Sequence, residues 1–470
     1  MIRPDEYVSL LRADLCSFVH KAFLELNPET EYLPNGHIDA IAAKLEQVRR
    51  GEVRRLIIML PPRSLKSHCV SIAFPAFLLG HDPSLHIICA SYGQDLADKF
   101  ARDCRTIMGS AWYRGAFCAR LGDRHAVHDF NTTVGGGRMS TSVGGVLTGR
   151  GADIIIIDDP LKPDEALSES RRTAVNAWFD NTLLSRLNNK ETGAIVLVMQ
   201  RLHQDDLVGH VLEGQGWEVL KFPAIAEEDE VYRFETVLGP TVFRRRQGEA
   251  LHPARESLET LQNIKATIGT YNFQSQYQQS PTPAGGNLVR TGWLKYYDPA
   301  DLPRFGRYVQ SWDTANKSTE LADYSVCTTW GACDGRFYLL DVIRERLDFP
   351  DLQRRVRAEA RRYPNCTVLI EDKASGTQLI QTLQEEYVLG VTGYTPPPNT
   401  DKIMRLHAQT PIFEAGRVWL PKTAPWLGDY VTELLSFPGP RYDDQVDSTT
   451  QALDHLRVPD ALETYIKAYS

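Results

Sequence analysis

Residues 152–160 read Ala-Asp-Ile-Ile-Ile-Ile-Asp-Asp-Pro, and few folds accept that string. Four consecutive β-branched aliphatics suit a strand buried on both faces, in the middle of a parallel sheet covered by helices. Such a strand delivers its last residues to the C-terminal edge of the sheet, where open α/β folds bind their ligands. Here it delivers two carboxylates, Asp158 and Asp159, and then a proline that ends the strand. By itself the stretch also reads as a buried strand closed by an Asp-Pro turn. Its meaning depends on what lies upstream.

Upstream, Leu56–Leu60 is an apolar strand, followed by the loop Pro-Pro-Arg-Ser-Leu-Lys-Ser and an apolar-faced helix over 67–79. Phosphate binding needs this order. Loop N–H groups and a helix N-terminus face the anion, a lysine reaches the terminal phosphates, and a hydroxyl holds Mg²⁺. Lys66 and Ser67 fit the last two roles, with Arg63 and Ser64 in the loop beside them. The strict glycine pattern fails, because Leu60 and Leu65 occupy both glycine positions. With a nucleotide in place, Asp158 would hold the Mg²⁺ shared with Ser67, and Asp159 would orient or deprotonate the attacking water. Arg63 and Arg150, the latter between two glycines, are the candidates for stabilising charge on the phosphoryl group. The strand Ala194–Met199 ends in Gln-Arg-Leu-His-Gln-Asp-Asp (200–206), polar residues placed to sense a terminal phosphate. Within it, a loop capped by an Asp is favoured over a His203–Asp206 metal pair.

Short β-branched runs alternate with helical stretches through the first two hundred residues, predicting α/β units on a mostly parallel sheet. Helices are expected at 37–50, 67–79, 94–108 and 169–186. After Phe222 the chain turns polar and irregular, with a Gln-rich stretch and the breaker Pro-Thr-Pro-Ala-Gly-Gly (281–286), which reads as a connecting segment. Then the pattern restarts: strands at 308–314, 325–331 and 336–342, a helix at 351–363 and a strand at 367–372. The expected division is residues 1–225, a connecting subdomain 226–300, and a second α/β domain 301–470.

The second domain places carboxylates where hydrolysis with two divalent ions would need them. Asp313 ends its first strand, Glu371 and Asp372 end its fourth, and Asp443, Asp444 and Asp447 open its last helix. Two ions ~3.5–4 Å apart need several hard oxygen ligands converging from separate elements. Asp323 is a weaker accessory ligand. Each cluster alone also reads as ordinary helix capping or a solvated turn. The helix at 351–363 carries Arg354, Arg355, Arg357, Arg361 and Arg362 opposite an apolar stripe. That is a solvated basic face by default and a phosphate contact as the alternative.

Composition removes other classes. The chain's 52 Lys and Arg stand against 60 Asp and Glu, a formal charge of −8 over 470 residues, which excludes a globally polybasic DNA-coating protein. Eight scattered cysteines form no CxxC pair, arguing against a zinc ribbon or disulfide framework and for a reducing compartment. No secretory h-region is expected, and the longest apolar runs fall far short of the ~20 residues of a membrane span.

With PPRSLKS, SYGQDLADKFARDCR, LTGRGADIIIIDDP, QRLHQDDL, QYQQSPTPAGG, SWDTA, IEDKASG and YDDQVDS in this order, from about residue 34 to about 456, the chain resembles the large terminase subunit of tailed phages and prophages. The resemblance implies a P-loop ATPase that drives double-stranded DNA translocation, a linker, and an RNase H-like α/β endonuclease that cuts concatemeric viral DNA. It implies ATP with Mg²⁺ in the first half and Mg²⁺ or Mn²⁺ in the second. Lys66, Ser67 and Asp158 match the nucleotide-binding positions and Asp159 the catalytic carboxylate, often Glu in the family. Arg150 matches an arginine acting across subunits. Asp313, Glu371 and Asp444 match the nuclease triad, with Asp443 competing for the third place. Expected partners are a small terminase subunit and the procapsid portal protein, with a ring assembled transiently at the portal vertex in the host cytoplasm. The rivals are a helicase or remodeller whose second domain binds nucleic acid without cutting, and a non-enzymatic assembly protein.

Overall fold

The computed structural model describes residues 3–458 apart from 148, 238, 282–287, 315–323, 364, 374, 399 and 440–442; the accessory candidate Asp323 lies outside the described residues. The chain forms two compact units, Met1–Pro283 and Ala284–Ser470.

The first unit is built on eight strands: β1 (Arg55–Met59), β2 (His86–Ser91), β3 (Leu121–His125), β4 (Asp129–Thr132), β5 (Gly137–Ser142), β6 (Ile154–Asp158), β7 (Ala194–Met199) and β8 (Glu218–Lys221). Their spatial order is β3-β4-β5-β2-β6-β7-β1-β8, parallel from β5 to β8. The four isoleucines explain why β6 is central. Ile154 and Ile156 enter one hydrophobic core and Ile155 and Ile157 the other, so both faces of the strand are packed. β1 and β7 alternate in the same way, with Leu56, Ile58, Val196 and Val198 on one side and Ile57, Met59, Ile195 and Leu197 on the other.

The expected helices 37–50 and 94–108 are present as Gly36–Arg49 and Gln94–Gly109. The expected helix 67–79 is instead two segments, a π-helix at His68–Ala73 and an α-helix at Phe74–His81. Pro75 explains the break, since a proline fits only the first turn of an α-helix. The expected helix 169–186 is likewise divided, α-helical over Glu169–Trp178 and π-helical over Phe179–Leu183. The antiparallel edge β3-β4-β5 has no counterpart among the expected strands. Its strands are short, polar and separated by Gly135-Gly136, so they carry neither alternation nor an apolar run.

The residues expected to connect the halves, 226–300, are divided between the units. The antiparallel hairpin β9 (Glu230–Thr236) and β10 (Gly239–Arg245) packs Tyr232, Phe234 and Phe243 onto the first core, because its alternate residues are aromatic. The helix Leu258–Asn272, capped by Ser257, also lies within the first unit.

In the second unit the strands are β11 (Lys295–Tyr297), β12 (Arg307–Asp313), β13 (Ser325–Cys333), β14 (Arg336–Glu345), β15 (Thr367–Glu371), β16 (Val391–Tyr394) and β17 (Val418–Pro421), in the order β11-β17-β14-β13-β12-β15-β16. β12, β13 and β14 form an antiparallel meander, and β15 joins β12 in parallel with Trp312 opposite Ile370. That register brings the next residues, Asp313 and Glu371, to the same level at the strands' C-terminal ends. The last helix, Asp444–Arg457, is sewn to the sheet by buried hydroxyls: Ser448 donates to the Ser311 carbonyl at 2.7 Å and accepts from the Thr328 N–H at 3.0 Å. No helix among the described residues is long and apolar enough to cross a membrane.

Candidate functional sites

The first site forms where β1 and β6 end. Lys66, almost fully buried, places its ammonium 2.8 Å from each oxygen of Asp159. Asp159 Oδ1 also accepts the Gln200 N–H at 3.2 Å, tying the end of β7 to the same carboxylate. Asp158 turns the other way. Its Oδ2 accepts from the Ser71 hydroxyl at 2.6 Å, while Oδ1 is buried without a partner among the described residues. Burial, and then the charge of Asp159, pushes Asp158 well above the usual carboxylate range; Lys66 and the hydroxyls of Ser71 and Ser67 pull it back.

Sequence reasoning missed Ser71. It stands one helical turn past Ser67, in the π-helical stretch, and its carbonyl accepts from the fully buried Arg138 at 3.2 Å. The phosphate-loop strain is visible in the backbone. Arg63 and Leu65 both have φ near 61° and Asp159 has φ 45°, left-handed values that favour glycine. A cavity of about 620 Å³ lies over the loop, lined by Arg63, Lys66, Ser67, Asp159 and Gln200 and extending past Phe23 and Phe100.

His37 braces this loop from outside. Its Nδ1 accepts from Asn35 Nδ2 and its Nε2 donates to the Ser64 carbonyl at 3.3 Å, a division of roles that requires the neutral ring. Burial, and then the charge of His252, pushes His37 down to about 3, against the pull of the Ser64 carbonyl. The folded protein therefore binds one proton fewer than the unfolded chain between about pH 3 and 6.5. The stability that His37 contributes is complete above 6.5 and is lost as pH falls below it. His37→Gln is expected to lie below wild type in urea unfolding at pH 7, with the gap narrowing by about 2 kcal/mol between pH 6.5 and 5. A gap constant with pH would overturn this assignment.

Arg150 is not in this site. It precedes β6, at the opposite edge of the sheet, and donates to Asp129 Oδ2 at 2.9 Å beside Arg124. Of the two candidate arginines only Arg63 lines the cavity. Asp206 is the capping residue of the helix Leu207–Leu212, accepting from Gly209 N–H and held by Arg201 at 2.9 Å, while His203 Nδ1 accepts from the Asp205 N–H.

The second site gathers at the ends of β12 and β15 and the start of the last helix. Burial, then Asp447, Asp444 and Glu371, push Asp313 far above the usual range, with Lys402 opposing. Burial, then the charges of Glu433 and Asp443, raise Asp444 to about 6, and its Oδ2 is buried without a partner among the described residues. Glu371 receives Gln451 Nε2 at 3.4 Å, and Gln451 Oε1 in turn accepts from Ser311. Asp443 and Asp447 are both engaged by Lys402, at 2.6 and 2.7 Å, and Asp447 also by Arg405 at 2.9 Å. Glu433, from the preceding helix, accepts the Gln445 and Val446 N–H groups at 2.7 and 3.2 Å and so satisfies the first turn that carries the acids. Asp372 points away, accepting from Thr377.

The orphaned oxygens of Asp158 and Asp444, in an all-carboxylate and hydroxyl donor set, suit a hard divalent ion in each unit. As the side chains stand, no group of three or more His, Cys, Asp or Glu among the described residues is arranged to hold a metal ion. Lys402, Arg405, Ser448, Gln451 and Glu433 were not foreseen. They lie far from the acids in sequence, in positions whose type alone reads as solvated surface or ordinary helix.

The arginine-rich helix runs Phe349–Arg362, and most of its cations are spent. Arg355 reaches Glu345 at 3.3 Å, Arg362 reaches Asp341 at 2.6 Å, and Arg354 and Arg357 pair with Asp351 and Glu386.

Residues 310–456 match the family described as the terminase RNase H-like domain, so the second unit has an RNase H-like fold. The large terminase subunit of Enterobacteria phage T3 is 24% identical over 237 residues, 47% of this chain and 40% of that protein. The alignment thus spans well under half of that curated relative. The large terminase of the thermophilic bacteriophage D6E, at 11% identity, superposes with a TM-score of 0.50 over 88% of this chain and 99% of its own. The HK97 bacteriophage large terminase, at 10% identity, covers 94% of this chain and 100% of its own with a TM-score of 0.35. In these comparisons the chain is similar to large terminases of bacteriophages.

Proposed function

We propose that the chain is the motor and nuclease of viral DNA packaging: ATP hydrolysis in the first unit drives double-stranded DNA into a procapsid, and the second unit cuts concatemeric DNA at the start and end. The observation that carries this reading is the pairing, in one chain, of a lysine-bearing phosphate loop facing two strand-end carboxylates with a separate acidic centre at the ends of β12 and β15.

In the first unit Lys66 would hold the terminal phosphates, and Ser67 with Asp158 would hold Mg²⁺. Asp159, released from Lys66 when phosphate takes its place, would orient the attacking water and accept its proton. Gln200, bonded to Asp159 through its N–H, would register that change at the end of β7. Arg63, at the cavity, would stabilise charge on the phosphoryl group, and Arg150 would act in a neighbouring subunit's site.

In the second unit Asp313, Glu371 and Asp444 would hold Mg²⁺ or Mn²⁺, with Asp443 at their edge; the bound metal would polarise the phosphodiester and lower the pKa of the attacking water. The buried, unpaired Oδ2 of Asp444, against the Lys402-engaged Oδ1 of Asp443, supports Asp444 as the third ligand. Gln451 and Ser311 orient Glu371, and Glu433 fixes the helix start that aims Asp444.

A small terminase subunit, the portal protein and a ring of copies of this chain are the partners this role requires, in the host cytoplasm at the portal vertex. The test is incubation of the purified chain with supercoiled plasmid and Mn²⁺ or Mg²⁺, alongside ATP turnover. Metal-dependent nicking and phosphate release are expected; a chain that hydrolyses ATP but never nicks, even as its second unit alone, would favour the remodeller.

A further inference from the structure

Five carboxylates crowd the second site: Asp313, Glu371, Asp443, Asp444 and Asp447. Among the described residues two cations pair directly with them, and the two differ in kind. Arg405 and Asp447 are both nearly buried, with side-chain exposures of 11% and 4%, so their 2.9 Å pair is a fixed part of the packing. Lys402 is 43% exposed, is the first residue of the helix Lys402–Glu414, and hangs on a flexible four-carbon stem. Its ammonium stands between Asp443 Oδ1 at 2.6 Å and Asp447 Oδ2 at 2.7 Å, and it opposes the negative charge felt by Asp313 and Asp444 as well. One compact charge thus touches two acids of the centre and acts on two more, which is how a bound cation would be placed.

Resting on the nuclease reading above, we propose that Lys402 is the resident counter-cation of this centre, an internal competitor that a divalent ion displaces from Asp443 and Asp447. In the metal-free protein it keeps five carboxylates from repelling one another apart. When an ion enters, the lysine no longer has two carboxylates to itself. Its exposed stem then lets the ammonium reach toward the other anion that arrives with the metal, the phosphodiester of the substrate. Lys402 is therefore a positioning residue with two effects of opposite sign: it weakens metal binding and aids engagement of DNA.

The test is Mn²⁺ binding to the full-length protein, followed by the paramagnetic resonance of free Mn²⁺, with Asp158→Asn in every arm to silence the first unit's carboxylate. Removing one charge at this range while keeping length, Lys402→Gln, is expected to tighten the Asp313-dependent site on the order of tenfold, while Lys402→Arg stays near wild type. At saturating Mn²⁺ the Gln variant is expected to bind DNA more weakly than wild type. Lys402→Met, whose stem keeps the apolar packing, replaces the Gln variant if that one melts early. Unchanged or weaker Mn²⁺ binding in a folded, charge-free variant would overturn the role of Lys402. If Asp313→Asn binds Mn²⁺ as tightly as its parent in every arm, the nuclease centre itself is misassigned, and the two failures are distinct.

Discussion

Lys66→Ala is expected to lower ATP turnover by about 10²–10³-fold while leaving plasmid nicking unchanged. The argument is local. The ammonium lies 2.8 Å from both oxygens of Asp159 and is the cation nearest the end of β6, so its loss removes the phosphate contact and the counter-ion of the water-orienting carboxylate together. Asp159 is left partly buried with only the Gln200 N–H, and Asp158 loses the charge that pulls its pKa down. Nucleotide affinity should therefore fall with turnover, and a Lys66→Arg variant should recover neither, because a planar guanidinium does not reproduce the compact ammonium held 2.8 Å from both oxygens of Asp159. The strands that carry the site are packed by residues Lys66 does not touch, so the variant should fold. Turnover within a few-fold of wild type would remove the first unit from the mechanism.

Asp313→Asn is expected to abolish metal-dependent nicking, a loss of at least about 10³-fold, and yet not to lower the melting temperature of the metal-free protein. Asp313 is half-buried beside three other carboxylates; loss of water around it, and then their charges, raise its pKa far above the unfolded value. A carboxylate raised in this way contributes its stability in full below its unfolded pKa and loses it as pH rises through the folded one. Replacing it by a neutral amide of the same shape removes that pH-linked loss of stability. A functional loss with no structural cost is the signature of a group kept for chemistry. Nicking that survives the substitution would sink the assignment of this centre.

How much of this was legible in the sequence depended on whether a residue acts through its neighbours in the chain. The isoleucine run and the Lys-Ser loop are local signals, and β1, β6 and β7 lie within a residue or so of where the pattern predicts them. Asp313 and Glu371 were readable for the same reason, since each ends an apolar strand. The edge strands β3, β4 and β5 were not readable, because their stability comes from a neighbour rather than from their own polar sequence. Within the sites, the residues that fix the carboxylates were hidden. Ser71 looks like any serine in an apolar helix until the π-helical turn aims it at Asp158, and Lys402 looks like a solvated helix start until the fold places it among acids 41 and 45 positions away. Arg150 was identified by type, but its place at the far edge of the sheet is a property of topology alone.

That placement has a consequence for mixtures of the protein. A parallel strand of five residues spans about 17 Å, so Arg150 stands a full strand away from the phosphate loop of its own subunit. If it stabilises the reaction, it does so for the next subunit around a ring, and every working site is the joint property of two polypeptides. Chains carrying Lys66→Ala and chains carrying Arg150→Ala, each inert alone, should then recover ATP turnover when mixed, because roughly a quarter of the junctions in an equal random mixture would unite an intact lysine with an intact arginine. Dilution should extinguish wild-type turnover per chain in the same way, making specific activity a measure of assembly.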